Sequence, residues 1–283
     1  MKTLYATDLD GTLLDPTAHL PEESASAIRR LTAAGALITF VTARTPATIE
    51  PILSAACPKI PGVAMTGATI WNPSRRAYDY VSYHTEQDAM LILDICRRHG
   101  ITPFVYTLPR GTNSLQVYHS APALTALEQH FVDDRTLNDL KLFNLHHDLP
   151  SQSEADIVLF FAMGDPVRIR LAAEDISTST DCYASWYPDT YNPGVSLLEV
   201  FTGGVSKAHG IDMLRTLTGA GRVVAFGDNL NDIPMLQAAD VAVAVENAHP
   251  QVKEVADIVI GTNRDNSVVR FIAEDLGLRF YHS

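Results

Sequence analysis

Two stretches of the chain share one texture, in which short apolar runs alternate with segments whose apolar residues recur at helical spacing. Near the start, Leu4–Thr7 is a strand-like run, and Glu22 to Ala34 carries Ile28 and Leu31 on one helical face. Gly35 stops that helix, and Ala36–Thr42 is rich in β-branched and aromatic residues, as a buried strand is. Pro46 opens another helix at a first-turn position, and Gly62–Met65 supplies a third strand. Strands separated by helices in this way pair in parallel, because the crossover helix returns the chain to the same end of the sheet. The fold class is therefore α/β, a doubly wound and mostly parallel sheet with helices on both faces.

The texture returns near residue 196. Strand runs at Ser196–Phe201, Arg222–Phe226, Val241–Val245 and Asp257–Ile260 alternate with helical patterns at Ser206–Leu217, Asp232–Ala239, Pro250–Ala256 and Asn266–Leu276. Between them the character changes. Residues 84–185 hold more aromatics, most of the histidines, and strands such as Leu115–His119 and Ile157–Met163 among longer helices. This middle stretch reads as an α/β domain inserted into a core formed by 1–83 and 186–283.

Charge narrows the function. With 21 Lys and Arg against 33 Asp and Glu, the net charge is −12. Such a chain is a poor partner for nucleic acid or an anionic membrane, and an anionic substrate would need a local cation to approach. Cys57, Cys96 and Cys182 are dispersed with no CxxC pair, which fits free thiols in a reducing compartment. The first residues show no signal-peptide pattern, and no apolar run approaches the roughly 18 residues of a membrane helix. The expectation is a cytoplasmic protein.

Four segments carry reactive groups. Thr7-Asp8-Leu9-Asp10-Gly11-Thr12 follows the first strand directly, and Gly227-Asp228-Asn229-Leu230-Asn231-Asp232 follows Val223–Phe226. The crevice beyond the carboxyl ends of parallel strands is where such sheets bind ligands. A simple turn would also use Asp and Gly at these places. A calcium loop of the EF-hand type would not fit, since position 3 from Asp228 is Leu230 and position 6 is Ile233. The third segment, Gly203-Gly204-Val205-Ser206-Lys207, puts a lysine in a first helical turn, where the helix dipole disfavours it. It lacks the final Gly of a hydrolase nucleophile elbow, having Ala208 there. The fourth, Thr42-Ala43-Arg44, offers a hydroxyl and backbone amides to an oxyanion, although Thr also caps helices.

Together these segments resemble the haloacid dehalogenase-like hydrolase superfamily in order and spacing: DLDGT, a Thr after the second strand, a distant Lys, and GDxxND. The large insert between the Thr and Lys motifs, with Gly67-Ala68 after the third strand, resembles the Cof-type (subfamily IIB) sugar-phosphatase branch. Thr66 and Ala43 stand where members of that branch often carry Asn and Gly. The resemblance implies a Rossmann-like core with an inserted cap of the C2 type. It implies a Mg²⁺-dependent phosphatase of small phosphorylated metabolites, foremost sugar phosphates, with Asp8 as the nucleophile that becomes an aspartyl-phosphate. Asp10 would be the general acid and base. Thr42, the Ala43 amide, Lys207 and Asn231 would hold phosphoryl oxygens. Arg44 would either reach substrate or lie on the surface. The Mg²⁺ ligands would be the Asp8 carboxylate, the Asp10 carbonyl and Asp228, with Asp232 close behind. The charge balance agrees: Asp8, Asp10, Asp228 and Asp232 bring −4 and Lys207 +1, so a divalent cation lowers the repulsion facing a phosphate. A phosphomutase using the same intermediate, and a slow sugar-phosphate-binding regulator, are the alternatives.

Overall fold

The computed structural model describes residues 2–135, 139–149, 155–189 and 192–278. These divide into two compact units, one of residues 1–80 with 206–283 and one of 81–205.

The first unit is built on a five-stranded parallel sheet of β1 (Thr3–Thr7), β2 (Leu37–Phe40), β12 (Arg222–Gly227), β13 (Val241–Val245) and β14 (Ile258–Ile260). Their order is β14-β13-β12-β1-β2. β1 and β12 lie side by side with Thr7 opposite Phe226, so the segments that follow both strands emerge at one end of the sheet. Leu4, Tyr5, Val223, Val224, Phe226 and Val243 are buried, as strands covered on both faces must be. The helices of this unit are α1 (Glu22–Ala33), α2 (Pro46–Leu53), α6 (Lys207–Thr218), α7 (Ile233–Ala238), α8 (Pro250–Val255) and α9 (Ser267–Asp275). Among them, α6 begins where the Ser206 hydroxyl accepts a bond from the His209 amide, and ends at Gly219 in the left-handed region, φ 63°.

The third strand departs from the expected pattern. β3 (Gly62–Ala64) joins β4 (Thr69–Asn72) and β5 (Ala77–Val81) in a small sheet, antiparallel to β4, and among the described residues meets the main sheet through a parallel bridge between Val41 and Val63.

The second unit holds a six-stranded sheet in the order β10-β11-β9-β6-β7-β8. Its strands are β6 (Phe104–Pro109), β7 (Leu115–His119), β8 (Lys141–Leu145), β9 (Ala155–Gly164), β10 (Tyr183–Pro188) and β11 (Ser196–Phe201), antiparallel except for β7 with β8. On one face Val105, Phe160, Ala162, Leu198 and Val200 form a core with Ile92 and Ile95 of α3 (Glu86–Arg98) and Ile169 and Ile176 of α5 (Pro166–Ser179). Strand side chains alternate, so Phe104 and Phe161 point to the opposite face, where Phe131 of α4 (Ala126–Asp133) stacks on Phe161 with centroids 4.9 Å apart.

The return crossing therefore lies at 205/206 and not at 185/186. Ser196–Phe201, which as an apolar run resembles a core strand, pairs Leu198 with Ala162 of β9 and belongs to the inserted unit. No described helix is long and apolar enough to cross a membrane.

Candidate active site

Within the first unit, the turns after β1 and β12 and the start of α6 bring their side chains together. Lys207 is 2% exposed, and its ammonium donates to Asp8 Oδ1 at 2.7 Å and to Asp232 Oδ1 at 2.6 Å. The second Asp232 oxygen accepts from the backbone amides of Asp228 and Asn229, both at 3.0 Å. Asp232 is wholly buried, so this aspartate ties the lysine to the loop that carries Asp228.

Sequence explains the close approach. Gly11 has φ +76°, and a Cβ there would collide with the Asp228 carboxylate. At Gly227 a Cβ would come within 2.6 Å of the Asp232 Cβ. At Gly67, φ +104°, it would strike the Ser206 carbonyl, next to Lys207. At Gly11 and Gly227 the room a Cβ would need is taken by the Asp228 and Asp232 side chains, and at Gly67 by the Ser206 backbone, so a side chain at any of the three would push the site apart.

Carboxylate oxygens of Asp8, Asp228 and Asp232 lie within 4.8 Å of one another. With Lys207 the group carries −2 when every acid is ionised. Burial pushes the Asp8 carboxyl well above the usual range, helped by the charges of Asp232 and Asp228 and opposed by Lys207. Burial and the Asp232 charge raise Asp228 to about 6. Burial works against the Lys207 charge, but Asp232 and Asp8 outweigh it and hold the ammonium above its ordinary range. Acids outnumber cations here, and their oxygens are the hard donors that a divalent ion such as Mg²⁺ prefers. The donor set fits that ion. Asp8 and Asp228 are the better placed, because both oxygens of Asp232 are already engaged.

Thr12 donates its hydroxyl to Asp228 Oδ1 at 3.0 Å. Thr42 is buried at the end of the second strand run, and its hydroxyl oxygen accepts from the Arg44 amide at 3.2 Å, which leaves the hydroxyl proton free to donate. Ala43 is half-buried, and its amide bonds to no described residue. Arg44 is the main addition to the expected picture. Its guanidinium grips both oxygens of Asp10, at 2.7 and 2.6 Å, so it belongs to the site through Asp10. Asn231 is exposed on the turn Leu230–Asp232 and makes none of the hydrogen bonds that tie this turn together.

Several positioning residues have no motif of their own. Asn247 donates to the Gly11 carbonyl at 2.7 Å and accepts from the Asn263 amide. Asn263 in turn donates to the Leu14 carbonyl. These asparagines brace the loop after β1 from more than 200 residues away in sequence, and only a turn-forming asparagine at each position hints at it. Met65 and Thr66, at φ 51° and 58°, are non-glycine residues in the left-handed region. Their amides bond to the Arg44 and Thr42 carbonyls, so this strained corner supports the Thr42–Arg44 loop.

The family model of haloacid dehalogenase-like hydrolases matches residues 5–272. Pyridoxal phosphate phosphatase YbhA of Escherichia coli K12 is 29% identical over 96% of this chain and 98% of its own. The 5-amino-6-(5-phospho-D-ribitylamino)uracil phosphatase YitU of Bacillus subtilis is 26% identical, covering 97% of this chain and 98% of its own. The solved structure of the subclass IIB sugar phosphatase BT4131 superposes with a TM-score of 0.73 at 21% identity, over 98% of this chain and 99% of that one.

Proposed function

The chain belongs to the haloacid dehalogenase-like hydrolases and is a phosphoric monoester hydrolase, and from that premise we propose that it hydrolyses small phosphorylated metabolites, foremost sugar phosphates, through an aspartyl-phosphate on Asp8. The observation that carries this reading is the pairing of Asp8 with Lys207 at 2.7 Å beside Asp228 in one buried cluster. The relatives are named for phosphate esters of a cofactor aldehyde and of a ribityl compound, which supports small polyol and sugar esters as the substrate class.

The residues divide the work. Asp8 Oδ2, the oxygen not engaged by Lys207, attacks phosphorus as the ester oxygen departs on the opposite side. Asp10 gives a proton to the departing alkoxide, and later takes one from the water that cleaves the acyl phosphate and regenerates Asp8. Such proton transfer contributes about 10²–10⁴ in rate. Both Asp10 oxygens are held by Arg44, so Arg44 orients the carboxyl, and one of these bonds must open for the proton to move. Thr42 Oγ1, the Ala43 amide, Lys207 and Asn231 receive the phosphoryl oxygens. Asp8 and Asp228, with the Asp10 carbonyl and Asp232 nearby, would hold Mg²⁺, which when bound offsets the negative charge shared by phosphate and carboxylates.

Turnover of p-nitrophenyl phosphate tests this. Asp8→Asn should abolish it while circular dichroism stays native, and EDTA should abolish it in the wild type until Mg²⁺ is restored. Wild-type turnover by Asp8→Asn would refute the nucleophile. A phosphomutase would convert a hexose phosphate into its isomer, whereas the hydrolase reading requires free phosphate.

A further inference from the structure

The second unit contains a buried lysine whose charge has no counterpart among the described residues. Lys141 opens β8 and is 2% exposed, yet its ammonium makes no hydrogen bond or ion pair among the described residues. It lies 5.5 Å from the centroid of the Phe143 ring. Arg135, just beyond α4, places its guanidinium carbon 4.3 Å from the Phe131 centroid, and its hydrogen bond is a long one, 3.5 Å, to the Phe131 carbonyl. The rings of Phe131 and Phe143 meet edge to face with centroids 6.2 Å apart, so the two cations sit on adjoining rings. Burial first, and then the charge of Arg135, draw the Lys141 ammonium down to about 8.

The acids of α4 and of the turn after it are engaged with other residues. Glu128 accepts from the Thr125 amide and hydroxyl, Asp133 from Gln129, and Asp134 pairs with His130. A buried charge is ordinarily paired, and a second like charge beside it adds to the cost. Contact with a ring face offsets only about 1–2 kcal/mol of this. If the position served packing alone, a leucine or methionine would fill it without this penalty. In a chain of net charge −12, a buried lysine with no acid partner among the described residues, beside an arginine near enough to weaken its charge, calls for a negative ligand.

We propose that Lys141 and Arg135 form an oxyanion-binding site in the second unit, taking a phosphate or carboxylate group. The guanidinium fork suits two oxygens of such a group, and the ammonium a third contact from the side. The anion can be a free ion or the second anionic group of a substrate. The site itself stands on these side chains, and only the kinetic arm below rests on the phosphatase reading.

The test is thermal melting of the full chain in EDTA, titrated with inorganic phosphate against chloride at matched ionic strength. The wild type should show a saturable rise in melting temperature. Lys141→Met should lose the part of this rise that the Lys141 site supplies, and Arg135→Gln should keep less than half of that part. Any phosphate held at Asp8 and Lys207 contributes equally to all three proteins. An identical phosphate response in all three overturns the proposal. Kinetics then separates the sources. If the occupant belongs to the substrate, Lys141→Met raises KM for a sugar bisphosphate about tenfold and leaves p-nitrophenyl phosphate unchanged. If it is a free ion, both KM values stay as they are while the melting response is lost. Should the chain hydrolyse neither ester, the melting series still decides whether the site exists.

Discussion

Lys207 and Lys141 are both 2% exposed, and they have opposite surroundings. Lys207 meets two carboxylates within 2.7 Å, and its proton is held more tightly than in water. Lys141 meets an aromatic ring and an arginine, and its proton is held more loosely. Burial alone weakens the charge of any lysine, so the difference is entirely one of partners. The first lysine is part of a completed network. The second is an incomplete one, and the missing member is the ligand.

The largest way to break this contrast is Lys207→Met. It leaves Asp8 and Asp232 buried without their shared cation, which should cost about 3–5 kcal/mol in urea unfolding and remove turnover. The same change at Lys141 should act in the other direction. In the absence of phosphate, Lys141→Met should stabilise the chain by about 1–3 kcal/mol, since it removes an unpaired buried charge. Equal losses at the two positions would show that Lys141 is a structural strut.

The pH dependence sharpens the contrast, again with opposite signs. The folded pKa of Lys141 is lowered to about 8 from an unfolded value near 10.5, so between these values the unfolded chain binds the proton that the folded chain has released. Stability should therefore rise with pH from about 8 to 10.5, and the advantage of Lys141→Met should vanish across that window. The folded pKa of Lys207 is raised, so its contribution is complete below about 10.5 and is lost only as pH climbs beyond. Urea midpoints of wild type and Lys141→Met from pH 7 to 10.5 measure this.

Arg44→Lys should have the smallest effect. A lysine keeps the charge but cannot grip both Asp10 oxygens. A fall in kcat of about tenfold, with little change in stability, is expected if Arg44 orients the proton-transfer group. A rise in KM alone, with kcat kept, would instead assign Arg44 to substrate.

Much of the site was legible because its residues follow strands directly. Asp8, Asp10 and Asp228 stand immediately after apolar runs, and parallel pairing of those runs is enough to place them together. Lys207 was legible by contradiction, as a cation where a helix start prefers an acid. Arg44 was only half legible: its nearness to Thr42 suggested an oxyanion, but its bidentate hold on Asp10 joins residues 34 apart in sequence. Asn247 and Asn263 were not legible at all, because an asparagine in a turn looks the same whether or not its side chain reaches another loop.

Local chemistry in the chain was sufficient to determine the alternation of strand and helix, the parallel core sheet and the acidic segments that follow its strands, since each depends on residue period or on neighbours in sequence. Tertiary structure alone decided that Ser196–Phe201 joins the inserted sheet, that Arg44 turns to Asp10, and that Lys141 is buried with no acid partner among the described residues. Each of these is a choice among distant partners. Pairing energy between strands and between charges depends on which surfaces meet, and that information is distributed over the whole chain.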